Sequence, residues 1–186
     1  MLQRLLLVAS LLLLGACQSI QTDYDYNTAF DFSRAQSWQW QQPAISYQPD
    51  DPRYHGSLNE QRILAAVEDG LLQRGLRPAA AGQQADLRVR VYSIIDQRQQ
   101  LMTTWYGGEM IATRHGYISA PVYADTHSVH FNIATLQIDI QDASGALVWR
   151  GSGIQQMPNG PLQPAEREQL IRQTVSKILE GYPPRR

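Results

Sequence analysis

The chain has 186 residues, 43% of them hydrophobic and 18% charged, with a formal net charge of −1. That length suits one domain with a single sizeable core, and a charge so near zero supplies no global field to recruit nucleic acid. A single cysteine, Cys17, excludes an intrachain disulfide and a cysteine-built metal cage.

The N-terminus reads Met1-Leu2-Gln3-Arg4, then an apolar run from Leu5 to Leu14 broken by Ser10, then Gly15, Ala16 and Cys17. A weakly basic start, a short apolar core and small residues before a cut describe a secretory signal peptide. The run is too short for a spanning helix, which needs about 20 residues. Leu13-Leu14-Gly15-Ala16-Cys17 resembles the lipobox of bacterial lipoproteins. That resemblance implies cleavage after Ala16 and lipidation of Cys17. Gln18 follows the cysteine where an inner-membrane-retained enterobacterial lipoprotein would carry Asp. The expected address is therefore the outer membrane, lipid-anchored and facing the periplasm, with the inner membrane as the alternative.

Residues 17–22 are expected to be a tether that merges into a first strand carrying Tyr24 and Tyr26. Phe30 and Phe32 alternate with Asp31, and Trp38 and Trp40 with Gln39, as half-buried strands do. Residues 41–56 hold Pro43, Pro49 and Pro52 and read as a loop. Ser57 and Glu60 have capping-box spacing. Ile63, Leu64, Val67 and Leu71 then form one helical stripe, and Gly75 is a natural left-handed stop. A helix over 58–74 is predicted.

Leu87, Val89 and Val91 alternate with Arg88, Arg90 and Tyr92, which predicts a strand over 86–92. Residues 97–126, rich in Gly and aromatics, read as a long irregular hairpin arm or surface loop. Phe131 and Ile133 share one parity while Leu136, Ile138 and Ile140 share the other, so a bulge is expected near Ala134-Thr135. Strands are predicted over 136–141 and 146–150, joined by the turn Asp142-Ala143-Ser144-Gly145. A loop follows Gly151 and Gly153. Pro164 opens a second helix, with Leu170, Ile171, Val175, Ile178 and Leu179 as its apolar face, ending at Gly181. The predicted class is α+β: a mainly antiparallel sheet with two amphipathic helices packed on one face. The expected organisation is a signal peptide at 1–16, the tether at 17–22, one domain at 23–182 and a short tail at 183–186.

Several of these segments, in order, resemble a family of bacterial lipoproteins known as domain of unknown function 4136. They are Tyr24-Asp25-Tyr26, Phe30-Asp31-Phe32 and Trp38-Gln39-Trp40, then Arg74-Gly75-Leu76 and Ala85-Asp86-Leu87. Leu136-Gln137-Ile138-Asp139-Ile140, the Asp142–Gly145 turn and Leu147-Val148-Trp149-Arg150-Gly151 complete the set. The likeness spans roughly residues 20–182. It implies a compact α+β lipoprotein domain and brings no catalytic residues.

His115, His127 and His130 form the one histidine cluster, and zinc is commonly held by His nitrogen. Residues three apart on a strand face opposite sides, however, so His127 and His130 would need a turn to converge. Asp139 and Asp142 suit structural roles better than acid–base pairing, since one lies on the polar parity of its strand and the other begins a turn. Gly151-Ser152-Gly153 lacks the spacing of a nucleophile elbow or a dinucleotide loop. Trp38 and Trp40 share a parity and read as packing. Trp105, Tyr106, Tyr117 and Tyr123 are the better candidates for a partner or ligand surface, because such rings pair an apolar body with a polar tip. The expected function is a non-catalytic, outer-membrane-anchored lipoprotein that binds or scaffolds an envelope partner, with no metal or cofactor. A periplasmic metal-dependent hydrolase and a small-ligand or lipid-binding module in a sheet-and-helix cleft are the alternatives.

Overall fold

The computed structural model describes residues 20–50, 56–158 and 160–184. The signal peptide and Cys17 lie outside the described residues. The elements are β1 (Gln21–Tyr26), a 3-10 turn (Phe32–Arg34), β2 (Ser37–Gln48), α1 (Ser57–Gln73), β3 (Arg77–Pro78), β4 (Leu87–Tyr106), β5 (Met110–Thr113), β6 (Gly116–Ser119), β7 (Tyr123–Asp142), β8 (Leu147–Gln156) and α2 (Pro164–Leu179).

Six strands form one mixed sheet in the order β1-β8-β7-β4-β2-β3. The pairings β1–β8, β8–β7 and β7–β4 are antiparallel, whereas β4–β2 and β2–β3 are parallel. The sheet is therefore antiparallel over most of its pairing, as expected, but not throughout: one edge, β4-β2-β3, is parallel. β2 and β4 are separated by α1, and a crossover helix returns the chain in the same direction. Alternation of apolar and polar residues reports which face is buried, not which way the neighbour runs.

The core follows the predicted parities. Leu87, Val89 and Val91 on β4 are fully buried, and Val89 and Val91 face Ile140 and Ile138 on β7 in register. Ile63, Val67 and Leu71 of α1 and Val175, Ile178 and Leu179 of α2 join the same cluster. Both helix stripes are thus satisfied by one core. α1 stops where expected. Gly75 has φ 84°, its N–H donates to the Leu72 carbonyl, and the Leu76 N–H donates to the Leu71 carbonyl at 3.1 Å. This is the paired bonding of a left-handed helix stop, with Leu76 buried behind it.

The start of α1 differs from expectation. Gly56 is the N-cap and Ser57 is already helical. The Glu60 N–H donates to the Gly56 carbonyl at 2.9 Å, so no capping box forms at Ser57. The box pattern occurs at α2, where the Glu166 carboxylate accepts from the Gln163 N–H at 3.0 Å and Pro164 is the first residue.

Other boundaries shift for local reasons. β1 begins at Gln21, inside the expected tether. Phe32 lies in a 3-10 turn rather than a strand, because Asp31 caps it by accepting from the Ser33 N–H and hydroxyl. Residues 41–48 continue β2 instead of forming a loop. Pro43 is accommodated at the irregularity between Trp40 and Ile45 in the pairing with β4, on a strand whose other side, among the described residues, pairs only at Ser37 and Trp38. β8 runs on through Gly151 and Gly153 to Gln156.

No bulge occurs at Ala134-Thr135. The β4–β7 register is unbroken from Leu87↔Asp142 to Tyr106↔Tyr123. The change of parity marks a change of face: Phe131 and Ile133 point away from the helices, whereas Leu136, Ile138 and Ile140 point toward them.

Candidate partner surface and cleft

The long β4–β7 hairpin outruns the sheet. β2 stops pairing with β4 at Gln48↔Ile94, and β8 stops pairing with β7 at Gln156↔Ile133. Beyond these points β4 and β7 continue as a two-stranded ribbon to Tyr106 and Tyr123, topped by the separate β5–β6 hairpin. Ten residue pairs, from Gln97↔Asn132 to Tyr106↔Tyr123, at about 3.3 Å each make an arm roughly 33 Å long. The irregular arm expected over 97–126 is therefore a regular ribbon for most of its length. Its bend comes at Gly107 and Gly108, with φ 92° and 82°, where a Cβ on Gly107 would run into the Pro121 carbonyl.

The arm carries all four predicted surface residues in solvent. Trp105 is 71% exposed, Tyr117 73% and Tyr123 64%, and Tyr106 is also exposed. Tyr106 and Tyr123 face each other in register and stack with ring centroids 6.2 Å apart. Tyr117 lies on β6 at the tip, opposite Ala112. The four are not one cluster. Trp105 points to the opposite face of the ribbon from Tyr106, as neighbours on a strand must. Leu101, Met102, Met110, Ile111, Ile118 and Val122 are exposed on the same arm, a feature that reading the aromatic residues alone missed. These side chains stand on both faces of the ribbon and at its tip.

The histidines do not converge. His115 sits in the turn of the tip hairpin, its N–H donating to Thr113 Oγ1. His127 Nδ1 lies 3.9 Å from Asp125 Oδ2, both side chains open to solvent. His130 projects from the other face of the ribbon. Among the described residues no three His, Cys, Asp or Glu side chains group as metal ligands. Asp142 makes the turn: its carboxylate accepts from the Ser144 hydroxyl and from the N–H groups of Ala146 and Ser144, which hold its pKa low. Trp38 is buried in the core with Trp40 packed edge-on at 5.0 Å.

A second feature lies between the helices and the sheet. α1 and α2 run parallel and are clamped near their C-terminal ends. Arg74 Nε donates to the Leu179 and Tyr182 carbonyls at 2.6 and 3.0 Å, and Gly70 lets Leu179 approach. Between their N-terminal halves a cleft of about 220 Å³ is lined by Ile63, Ile95, Leu136, Met157, Leu162, Leu170 and Ile171, with Arg167 also on its wall. Gln155 also lines it, and its Oε1 is buried with no hydrogen-bond partner among the described residues. Gly153 keeps the floor low enough for Thr174 and Ile178 to pack directly on the backbone. The cleft was not legible in the sequence, because its lining comes from six elements and the loop before α2. The one available signal was the apolar parity of Leu136 continuing onto Ile95, its diagonal neighbour on the paired strand.

The fold is a mixed six-stranded sheet carrying two helices, and the sequence matches the family described as "Domain of unknown function (DUF4136)" over residues 20–184. The chain belongs to that family. A DUF4136 family protein from Bacteroides thetaiotaomicron has a similar structure, with a TM-score of 0.53 at 15% identity, covering 88% of this chain and 96% of that one. A PDZ domain protein from Parabacteroides distasonis gives a TM-score of 0.54 at 13% identity over 90% of this chain, which spans 36% of that protein. A PelC dodecamer from Paraburkholderia phytofirmans gives 0.47 at 12% identity, over 90% of this chain and 100% of that one, too loose a likeness to support any statement about assembly. At these identities the likeness shows the fold alone. No curated protein matches the chain significantly.

Proposed function

We propose that this chain is a non-catalytic lipoprotein, held by acylated Cys17 at the periplasmic face of the outer membrane, that presents its β arm to a partner in the cell envelope. The observation that carries the binding role is the arm itself. It projects from the body and exposes Trp105, Tyr106, Tyr117 and Tyr123, with no layer packed on it among the described residues. Rings that are large and amphipathic are the side chains that concentrate binding energy at interfaces. Support for the anchor is the lipobox-like Leu13–Cys17 run followed by Gln18.

Two measurements test the reading. Cys17→Ala should abolish acylation and release the protein from membrane fractions, while the native chain should sediment with outer membranes. Alanine at the four rings should remove envelope-protein crosslinks from intact cells. A lipid-modified, membrane-bound Cys17→Ala variant would sink the anchor, and unchanged crosslinks would sink the arm.

The cleft favours a second reading, a module for a small apolar ligand. An apolar cavity with one unsatisfied amide and a nearby guanidinium is the form such sites take. Native mass spectrometry of protein purified from cells would reveal a bound apolar molecule, lost on Leu136→Trp.

A further inference from the structure

The arm's backbone makes a demand that its side chains do not. From Ile95 to Tyr106 the outer edge of β4 pairs with no strand among the described residues, and the outer edge of β7 is likewise open from Tyr123 to Phe131. Unpaired edges are templates for another strand, and proteins ordinarily guard them with charge, proline or a covering loop. β7 is guarded: its free edge carries Asp125, His127 and His130. β4 carries charge only at the root of its open edge, at Asp96 and Arg98; from Gln99 to Tyr106 it has no charged residue and no proline, and it exposes Leu101, Met102, Trp105 and Tyr106. A bare two-stranded ribbon is also only marginally stable in water.

We propose that the free edge of β4 pairs antiparallel with the same edge of a second copy of this chain, joining two arms into a four-stranded sheet in the order β7-β4-β4-β7. This rests on the reading of the arm as an interaction surface and names its partner. The occupant must bring an extended, uncharged strand with its own edge unpaired, and the β4 edge of another copy is such a strand. Pairing one edge with itself about a two-fold axis is self-complementary, so it closes as a dimer rather than growing into a fibre. A lipid bilayer does not meet the demand, because open sheet edges are not tolerated in hydrocarbon. Leu101 and Trp105 stand on one face of the ribbon and Met102 and Tyr106 on the other, so pairing gives both faces of the joined sheet apolar cross-strand neighbours.

The test uses the full-length chain expressed in cells as two differently tagged copies. A photocrosslinking phenylalanine analogue in place of Leu101 should give an adduct of twice the chain mass containing both tags. Leu101→Lys with Thr103→Lys, which guards the edge, should abolish co-purification of the tags while leaving the thermal unfolding midpoint in place. His127→Lys on the β7 edge should leave co-purification intact. Adducts at position 101 with a different protein, without tag exchange, would overturn self-pairing and keep the arm as a partner surface. No adduct of either kind would overturn both. Tag exchange unaffected by the lysines would place the dimer contact elsewhere and overturn the edge assignment.

Discussion

Arg150 on β8 holds both carboxylate oxygens of Asp139 on β7, its register partner: Nη2 lies 2.5 Å from Oδ2 and Nε 2.7 Å from Oδ1. The pair lies on the sheet face away from the helices. Asp139 is only 3% exposed, and Gln137 donates a further bond to it at 3.0 Å. A carboxylate so nearly buried costs a great deal unless its charge is matched. The fork geometry of arginine supplies two aligned donors across one register position. Arg150→Ala should therefore destabilise the domain by about 3 kcal/mol, because it strands Asp139. Replacing both residues with apolar ones should cost less than that single change. Denaturant titrations of the two variants check the order, and equal losses would mean the carboxylate finds solvent.

Gly151 and Trp149 set the distance between β8 and α2. A Cβ on Gly151 would fall 2.7 Å from Trp149 Cζ2 and 2.8 Å from Ile178 Cγ2. Trp149 cannot give way easily, since it is fully buried and its Nε1 donates to the Gly181 carbonyl at 3.2 Å. Gly151→Ala should cost about 2–3 kcal/mol through overpacking. Adding Ile178→Val should recover part of it, as coupled neighbours do. A double variant no better than the single one would show that Trp149 alone carries the clash.

The core was legible in the sequence where one face is buried: Leu87, Val89, Val91, Leu136, Ile138 and Ile140 all lie inside as their spacing predicts. The Gly75 stop was legible because a left-handed residue has few alternatives to glycine. Strand direction was not, since the parallel β2–β4 pair leaves the same alternation as an antiparallel one. The length of β4 and β7 was not either. Beyond residue 96 neither ribbon face meets a core, so the period-two pattern that announces a strand fades although the pairing continues. The aromatic rings of the arm could be named from sequence, but their exposure could not. The Gly-x-Gly of β8 resembles a strand end in the sequence, whereas its glycines are the seat of α2. The Asp139–Arg150 pair needed the register, which the sequence does not spell out.

Asp86 fastens the start of β2 to the start of β4. Its carboxylate accepts from the Gln36 N–H at 3.0 Å, the Ser37 N–H at 2.9 Å and the Ser37 hydroxyl at 2.8 Å. These donors favour the charged form and hold its pKa below the ordinary carboxylate value. A depressed folded pKa adds stability that is present above the unfolded value, about 3.9, and is lost as pH falls through the folded one. Asp86→Asn should therefore be less stable than the native chain at pH 7, and the two should converge as pH drops below about 4. Stability curves recorded from pH 7 to pH 2.5 check the sign. A gap that stays constant with pH would assign the loss to geometry rather than charge.

The separation between body and arm gives the sharpest contrast. Val91 and Ile138 are fully buried and face each other across β4 and β7. Val91→Asp or Ile138→Asp forces an unpaired carboxylate into the core and should cost at least about 4 kcal/mol, a large fraction of an ordinary domain's stability. Farther along the same two strands, Trp105, Tyr106 and Tyr123 stand in solvent, and Tyr117 does so at the tip. Each alanine replacement there should change stability by no more than about 0.5 kcal/mol, the range of exposed sites. Tyr106→Ala is the most informative of the four, because it also breaks the stack with Tyr123. Thermal unfolding of each variant decides the matter. A loss of several kcal/mol at Trp105 or Tyr106 would mean that the arm folds back and packs on the body, and the partner surface would lose its residues.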